Sequence, residues 1–125
     1  MTKLSAADRV WNRACQLLGL PGPKSGDTEL SAMLLAHSLA MNGGVLHSVE
    51  VLSKEEFDSA LHGYRYFGLD SAADLFEKAR LVPPEEAEEA EANLDAEYEP
   101  TDAAVLERFE AHFRSHPEAY APVEN

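Results

Sequence analysis

The chain has 125 residues, of which 45% are apolar, and this is enough to form the core of one domain of ordinary size. Its 23 acidic and 10 basic residues give a formal net charge of −13. Such a charge argues against binding to nucleic acid or to anionic membranes and favours basic proteins as partners. Simple solubility, or a high-salt habitat, would also account for an acidic composition.

Nothing in the apolar pattern indicates a membrane segment or a secretion signal. No apolar stretch approaches the roughly 20 residues that span a bilayer, and the first residues lack the apolar run of a signal peptide. We therefore expect a cytoplasmic protein. Residues 1–125 should form a single domain, with a short irregular tail over residues 117–125.

The first two predicted helices have recognisable start and stop residues. Ser5 is a favourable N-cap and Gly19 a natural C-terminal stop. The helix between them would include Cys15, the only cysteine, as a small core residue rather than a nucleophile. A second helix should begin at Asp27 or Thr28. Asn42-Gly43-Gly44 ends it, because these residues tolerate the positive φ of a tight turn.

Three further segments are predicted up to the first pair of prolines. Residues 45–52 fit a short buried helix. Ser53-Lys54-Glu55-Glu56 is a capping box that opens a helix closed by Gly68. Asp70 or Ser71 should cap the next helix, which Pro83-Pro84 breaks.

The last third of the chain adds two longer helices. Pro84 suits the first position of a helix that ends at Pro100, and Thr101 or Asp102 should cap the last one. No segment alternates apolar and polar residues in the way a half-buried strand does. The sequence therefore predicts an all-α fold, a compact bundle of about six helices.

An acidic run is the strongest local feature of the sequence. Eight carboxylates fall within fifteen residues, with no lysine or arginine among them: Glu85, Glu86, Glu88, Glu89, Glu91, Asp95, Glu97 and Glu99. As a helix, the run would extend about 22 Å and carry one charge per about 3 Å, against one per about 1.7 Å in duplex DNA. A solvated helix face is the alternative explanation, although such a face usually mixes charges of both signs. We predict these eight residues as a partner-binding site.

The 5 histidines could serve as catalytic groups or metal ligands. His112 and His116 are four residues apart, which can place two ligands on one helix face, but a cationic helix C-terminus has the same pattern. His37, His47 and His62 could supply a general acid or base if they met around the 42–44 turn. No phosphate-binding loop, nucleophile elbow or CxxC pair is present. We predict no enzymatic activity, no metal and no cofactor.

Several segments of the chain form a recognisable set: Asn42-Gly43-Gly44 with the short apolar helix after it, Ala60-Leu61, residues 66–69, residues 72–79 and residues 113–120. Together they resemble a bacterial domain-of-unknown-function family that includes a described DNA-mimic protein. Members typically follow the turn with an aromatic residue and a glutamine, where this chain has residues 45–48, Val-Leu-His-Ser. The resemblance implies an all-helical fold and no known enzymatic activity. For the DNA-mimic member it implies an acidic surface that occupies the DNA-binding face of a transcription factor.

These observations lead to one main functional hypothesis and two alternatives. The main hypothesis is an acidic protein-binding module, with DNA mimicry as its specific form and a basic DNA-binding regulator as its partner. The first alternative is an immunity or antitoxin protein that neutralises a basic toxin. The second is a small enzyme or ligand carrier that uses histidines near the Asn42-Gly43-Gly44 turn, which requires a pocket containing His37 or His47.

Overall fold

A computed structural model of the protein describes residues 5–16 and 23–122. Within these residues the structure contains no strand, and the all-α prediction is confirmed. The described residues form one α-helix more than the six or so expected. The α-helices are α1 Ala6–Gln16, α2 Ser25–Gly43, α3 Val45–Val51, α4 Lys54–Tyr66, α5 Asp70–Arg80, α6 Ala87–Tyr98 and α7 Thr101–Ser115. Two short 3₁₀-helices, Pro84–Glu86 and Pro117–Ala119, precede α6 and follow α7.

The longest helix, α2, with 19 residues, organises the bundle. It packs against α1, α3, α4 and the 3₁₀-helix at residues 117–119. Its closest neighbour is α4, which it meets at Gly63. A Cβ atom at Gly63 would lie 2.7 Å from the carbonyl oxygen of Glu29, so only a hydrogen atom fits between the two backbones there.

Aromatic rings fill the space between α4, α5 and α6. The ring of Phe76 stacks on Tyr64 with centroids 5.4 Å apart and meets the edge of Tyr98 at 5.8 Å. Phe57 approaches the same ring at 6.5 Å. Burial of each such side chain contributes about 1.5–3 kcal/mol to folding, so this cluster is a main source of stability.

A second aromatic cluster joins α7 to α1 and to the end of the described chain. Phe109 is fully buried, and its ring centroid lies 5.6 Å from Trp11 and 5.7 Å from Tyr120. Residues 117–125 were expected to form an irregular tail, but the structure does not agree with this for residues 117–122. This segment begins with a 3₁₀-helix and buries Tyr120 and Ala121. Residues 123–125 lie outside the described part of the chain.

A buried carboxylate, Asp27, explains why α2 begins earlier than predicted. The helix starts at Ser25 rather than at Asp27 or Thr28. Asp27 lies in its first turn and accepts hydrogen bonds from the backbone amides of Lys24 at 3.0 Å and Ala121 at 2.7 Å. The Arg13 guanidinium also donates to it at 2.8 Å. A buried charge needs such partners, and here they tie α1 and the segment after α7 to the start of α2.

Two of the predicted N-terminal caps, at Ser5 and Ser53, are confirmed. Ser5 and Asp8 exchange backbone-to-side-chain hydrogen bonds at the start of α1, and Ser53 and Glu56 do the same at the start of α4. The predicted turn after α2 has its positive φ, 98°, at Gly44. Gly68 has the other positive φ among the described glycines, 77°, and follows α4 as expected.

Three local predictions were wrong. α5 begins at Asp70 with Leu69 in the cap position, and α7 begins at Thr101 with Pro100 in that position. The predicted caps were Asp70 or Ser71 for α5 and Thr101 or Asp102 for α7, so each helix begins one residue earlier than expected. Leu69 and Pro100, which take the cap positions, have no side chain that can cap a helix. Cys15 is exposed rather than buried, because α1 turns Val10 and Ala14 towards the core. Partial desolvation nevertheless raises the pKa of its thiol.

Two other expectations concern the end of the first helix and the membrane. The stop predicted at Gly19 lies outside the described residues. No helix in residues 5–16 and 23–122 has the length and apolar character needed to cross a bilayer.

Candidate protein-binding face

The acidic run lies on the 3₁₀-helix Pro84–Glu86, on α6 and on the residue after α6. We call its eight carboxylates the acidic band. α6 fully buries only Leu94 and Tyr98, while Ala87 and Ala90 are partly buried. Since so thin an apolar stripe attaches α6 to the bundle, most of the surface of this helix faces solvent.

Most of the acidic band is exposed and without a cationic partner. Seven of the eight carboxylates are exposed, all except Asp95. Glu97 lies 3.4 Å from the Lys78 ammonium, but both side chains are more than half exposed, so this ion pair contributes little. The other six have no ion pair within the described part of the chain: Glu85, Glu86, Glu88, Glu89, Glu91 and Glu99. They leave six exposed negative charges between residues 85 and 99 without a cation beside them in the described part of the chain.

Asp95 differs from the rest of the acidic band. It is half-buried, and its Oδ1 accepts a hydrogen bond of 2.9 Å from the backbone amide of Val45. A Cβ atom at Gly44 would lie 3.0 Å from Asp95 Oδ2, so glycine allows the carboxylate to reach the start of α3. Asp95 therefore connects α6 to the turn after α2. No local pattern indicates this contact, because the two residues are 50 positions apart.

The three histidines proposed around the turn are separated in the structure. His37 is buried, His47 is exposed and packs beside Gly43, and His62 hydrogen-bonds to Glu29. The cleft next to Gly44 is bordered by Ala40, Met41, Gly44, Asp95, Tyr98 and Glu99, and thus by neither His37 nor His47. This geometry gives no support to a histidine-based active site, and the lack of enzymatic activity stays a prediction.

His37 instead belongs to a buried chain of hydrogen bonds that joins four helices. Its Nδ1 lies 2.6 Å from the Tyr98 hydroxyl, which lies 2.6 Å from the Tyr64 hydroxyl, and its Nε2 lies 3.1 Å from Asp102 Oδ1. If the imidazole is neutral, each of these three hydrogen bonds can have one donor and one acceptor. Tyr64 donates to Tyr98, Tyr98 donates to Nδ1, and the Nε2 proton goes to Asp102.

Burial perturbs the pKa values of this chain in the direction that keeps it neutral. Desolvation lowers the pKa of His37, although the Asp102 carboxylate acts in the opposite sense. Desolvation also raises the pKa of Tyr98 and of Tyr64 above their ordinary values. These groups are held as neutral hydrogen-bonding partners inside the bundle. The chemistry favours a structural role, since Tyr98 and Tyr64 are buried.

His112 and His116 lie side by side at the end of α7, with ring centroids 5.1 Å apart. Each already has a partner: His112 Nδ1 bonds the Tyr120 hydroxyl at 2.7 Å, and His116 Nδ1 bonds Glu118 at 3.3 Å. Desolvation, then the neighbouring His116, lowers the pKa of His112. Across the described residues, no group of three or more histidine, cysteine or acidic side chains is arranged to hold a metal ion.

The fold and the exposed carboxylates define a small all-α domain with one strongly acidic edge. Residues 25–124 match the model of the family described as DMP19-like protein. Because the match covers four-fifths of the 125 residues, the chain belongs to this family. The family expected from the sequence, the one with a described DNA-mimic member, is thereby confirmed. No match was found among curated proteins or among solved structures.

Proposed function

We propose that the protein is an acidic protein-binding module that acts as a DNA mimic and occupies the DNA-binding face of a basic protein. The acidic band carries this proposal, because six of its carboxylates are exposed and lack a cationic partner within the described residues. Membership of a family with a described DNA-mimic member supports it.

The mechanism is competition for the same lysine and arginine residues. Five carboxylates lie within α6, whose 12 residues extend about 18 Å, which is about one negative charge per 3.6 Å. This is roughly half the charge density of duplex DNA. Carboxylates at this density attract a basic groove, and their fixed positions on a helix remove the need to order a flexible segment on binding.

The stability of α6 is lowered by the same arrangement. Glu91 and Asp95 are four residues apart, as are Asp95 and Glu99, and such like-charge pairs cost a few tenths of a kcal/mol each. Glu88 and Glu89 offset part of this in the first turn, where the helix dipole is positive. A repulsive face of this kind favours a functional origin, because a purely structural helix gains from mixed charges.

The first experiment is a pull-down from native lysate, eluted with a salt gradient and analysed by mass spectrometry. Release of a DNA-binding protein at moderate salt is the expected result, followed by a gel-shift assay in which the protein displaces DNA. A tightly held basic toxin would favour the immunity alternative and contradict DNA mimicry. Retention of no basic protein would contradict both.

Two variants with equal changes of charge then test the acidic band itself. The first replaces four of its unpaired carboxylates by glutamine: Glu85, Glu88, Glu89 and Glu91. The second replaces four exposed acids elsewhere, with glutamine or asparagine: Glu50, Glu55, Asp58 and Glu107. At about 0.2–1 kcal/mol per exposed pair, the first variant should bind at least about fourfold more weakly, and the second nearly unchanged. Equal losses would assign the effect to net charge and contradict the role of the band.

A further inference from the structure

A cleft beside α7 is bordered by basic and aromatic side chains, and no carboxylate of the described residues borders it. It lies between the end of α4 and the C-terminal half of α7, and its volume is about 280 Å³. We call it the α7 cleft. Its basic residues are Arg108, His112 and His116, and Tyr66 and Ser115 add hydroxyl groups. Acidic residues outnumber basic ones by 23 to 10 in this chain, so this lining runs against the composition.

Arg108 supplies a full positive charge that has no carboxylate partner. Its side chain is exposed and takes part in no ion pair within the described part of the chain. A Cβ atom at Gly68 would lie 3.6 Å from Arg108 Nη1, so the guanidinium lies over the turn that ends α4. The paired N–H groups of a guanidinium match the oxygens of a phosphate or carboxylate group.

The two imidazoles each keep one nitrogen atom for a ligand. Nδ1 of His112 is bonded to the Tyr120 hydroxyl at 2.7 Å, and Nδ1 of His116 to the Glu118 carboxylate at 3.3 Å. A carboxylate only accepts hydrogen bonds, so Nδ1 of His116 carries the proton, and Nε2 becomes a second donor when the ring is charged. The ring centroids are 5.1 Å apart, which is close enough for one anion to contact both rings.

Two helices end at the α7 cleft, and the negative end of α4 is offset locally. α5 begins at Asp70, four residues after α4 ends, and brings its positive end to the same turn. The carbonyl groups of Tyr64 and Arg65 already accept hydrogen bonds from backbone amides of this turn. The Asp70 carboxylate lies 3.9 Å from the Arg65 guanidinium and is thus paired.

The negative end of α7 and the Glu118 carboxylate remain as opposing charges. Together they amount to about one and a half negative charges, which Arg114 in the last turn of α7 offsets in part. Glu107 and Glu110 are also on α7 but do not border the cleft. Arg108 alone does not outweigh these charges, whereas two charged imidazoles added to it do. A strong anion site here therefore requires charged histidines.

We propose that the α7 cleft binds a phosphate group with its two histidines in the charged form. This site is separate from the proposed function, because no residue of the acidic band borders the cleft. A phosphate group fits better than a carboxylate, because its three acceptor oxygens and nearly two negative charges match three basic groups and the hydroxyls of Tyr66 and Ser115. The cleft has room for roughly nine water molecules, so it accommodates both the free ion and the phosphomonoester of a small molecule.

The first test titrates sulfate into the isotope-labelled protein and follows the NMR signals of the His112 and His116 rings. Sulfate keeps its two charges in neutral and mildly acidic solution, so any pH dependence comes from the protein, and sodium chloride holds the ionic strength constant. Desolvation, then His116, lowers the pKa of His112, and a bound anion should raise it again. We expect saturable shifts of both rings and binding at least about fivefold tighter at pH 6 than at pH 8. Equal binding at the two pH values, or shifts that never saturate, would overturn the proposal.

Matched variants then locate the contact. Arg108→Gln and Arg114→Gln remove equal charges from exposed positions on the same helix, the first inside the cleft and the second outside it. Arg108→Gln should weaken sulfate binding at pH 6 by about two- to fivefold, and Arg114→Gln should leave it nearly unchanged. His116→Gln should reduce the ratio of the affinities at pH 6 and pH 8 by at least about twofold. Equal losses in the two arginine variants would show general charge attraction and refute a specific site.

Inorganic phosphate and phenyl phosphate then distinguish the two sources of a phosphate group. Phenyl phosphate that binds at least about twofold tighter would support a phosphomonoester whose organic group packs on Tyr66. Equal binding of the two would support a site for the free ion. Failure of both to shift the histidine signals at millimolar concentrations would refute the site. Since these probes need no partner protein, the result is independent of whether the acidic band displaces DNA.

Discussion

The buried hydrogen-bond chain of His37, Tyr98 and Tyr64 allows two nearly identical substitutions with different expected outcomes. Tyr98→Phe and Tyr64→Phe each remove one oxygen atom and keep the ring packing around Phe76. Tyr98 lies in the middle of the chain, with partners on both sides at 2.6 Å. Tyr64 lies at its end and has Tyr98 as its hydroxyl partner.

The expected magnitudes follow from the groups that each change leaves unpaired. Tyr98→Phe leaves both His37 Nδ1 and the Tyr64 hydroxyl without a partner in the core, at about 1–3 kcal/mol each. Its loss of unfolding free energy should therefore be about 2–6 kcal/mol. Tyr64→Phe removes one donor, and the Tyr98 hydroxyl still donates to His37, so the loss should be about 0.5–1.5 kcal/mol.

Urea unfolding followed by helical circular dichroism measures both values, with the wild-type protein as reference. The slope of free energy against urea should stay the same, since the exposed surface on unfolding does not change. We expect Tyr98→Phe to be less stable than Tyr64→Phe by at least about 1 kcal/mol. Equal losses would refute the central position of Tyr98, and a gain in stability for Tyr98→Phe would refute the hydrogen-bond chain altogether.

Two further predictions concern a close helix contact and pH. Gly63→Ala should destabilise the protein by about 1–3 kcal/mol, because the new methyl group meets the Glu29 carbonyl, as thermal unfolding would show. Gly43→Ala is its control, since it meets only the exposed His47 side chain, and a comparable loss there would contradict the argument. Burial lowers the pKa of His37 below its ordinary value of about 6.5, so the unfolded chain binds more protons just below that pH. The stability contributed by His37 is complete above about pH 6.5 and falls as the pH decreases through the folded-state pKa. The difference in unfolding free energy between wild type and His37→Gln should shrink from about pH 7.5 to 5.5, and a constant difference would disprove this.

The sequence was a good guide to helices whose ends are set by local chemistry. The capping box of Ser53 and Glu56, the turn at Asn42-Gly43-Gly44 and the helix stop at Gly68 depend on neighbouring residues, and they were predicted correctly. The start of α2 was missed because Asp27 takes partners from distant parts of the chain. Local patterns contain no information about such contacts.

The candidate site was predictable only in part, for the same reason. The exposure of the acidic band follows from the thin apolar stripe of α6, in which Leu94 and Tyr98 are the buried residues. A histidine on an apolar stripe, His37, was the available signal for a buried polar partner, but it did not identify Tyr98.

The tie at Asp27 also determines how the molecule would respond to mechanical load. It links Arg13 near one end of the described chain to Ala121 near the other. If the protein were stretched from both ends, the force would reach these few polar bonds before it reached the helices between them. The packing of Trp11 and Tyr120 on Phe109 would share that load, because it joins the same two parts of the chain. The first resistance to stretching is therefore set by one buried carboxylate and its partners together with this aromatic cluster.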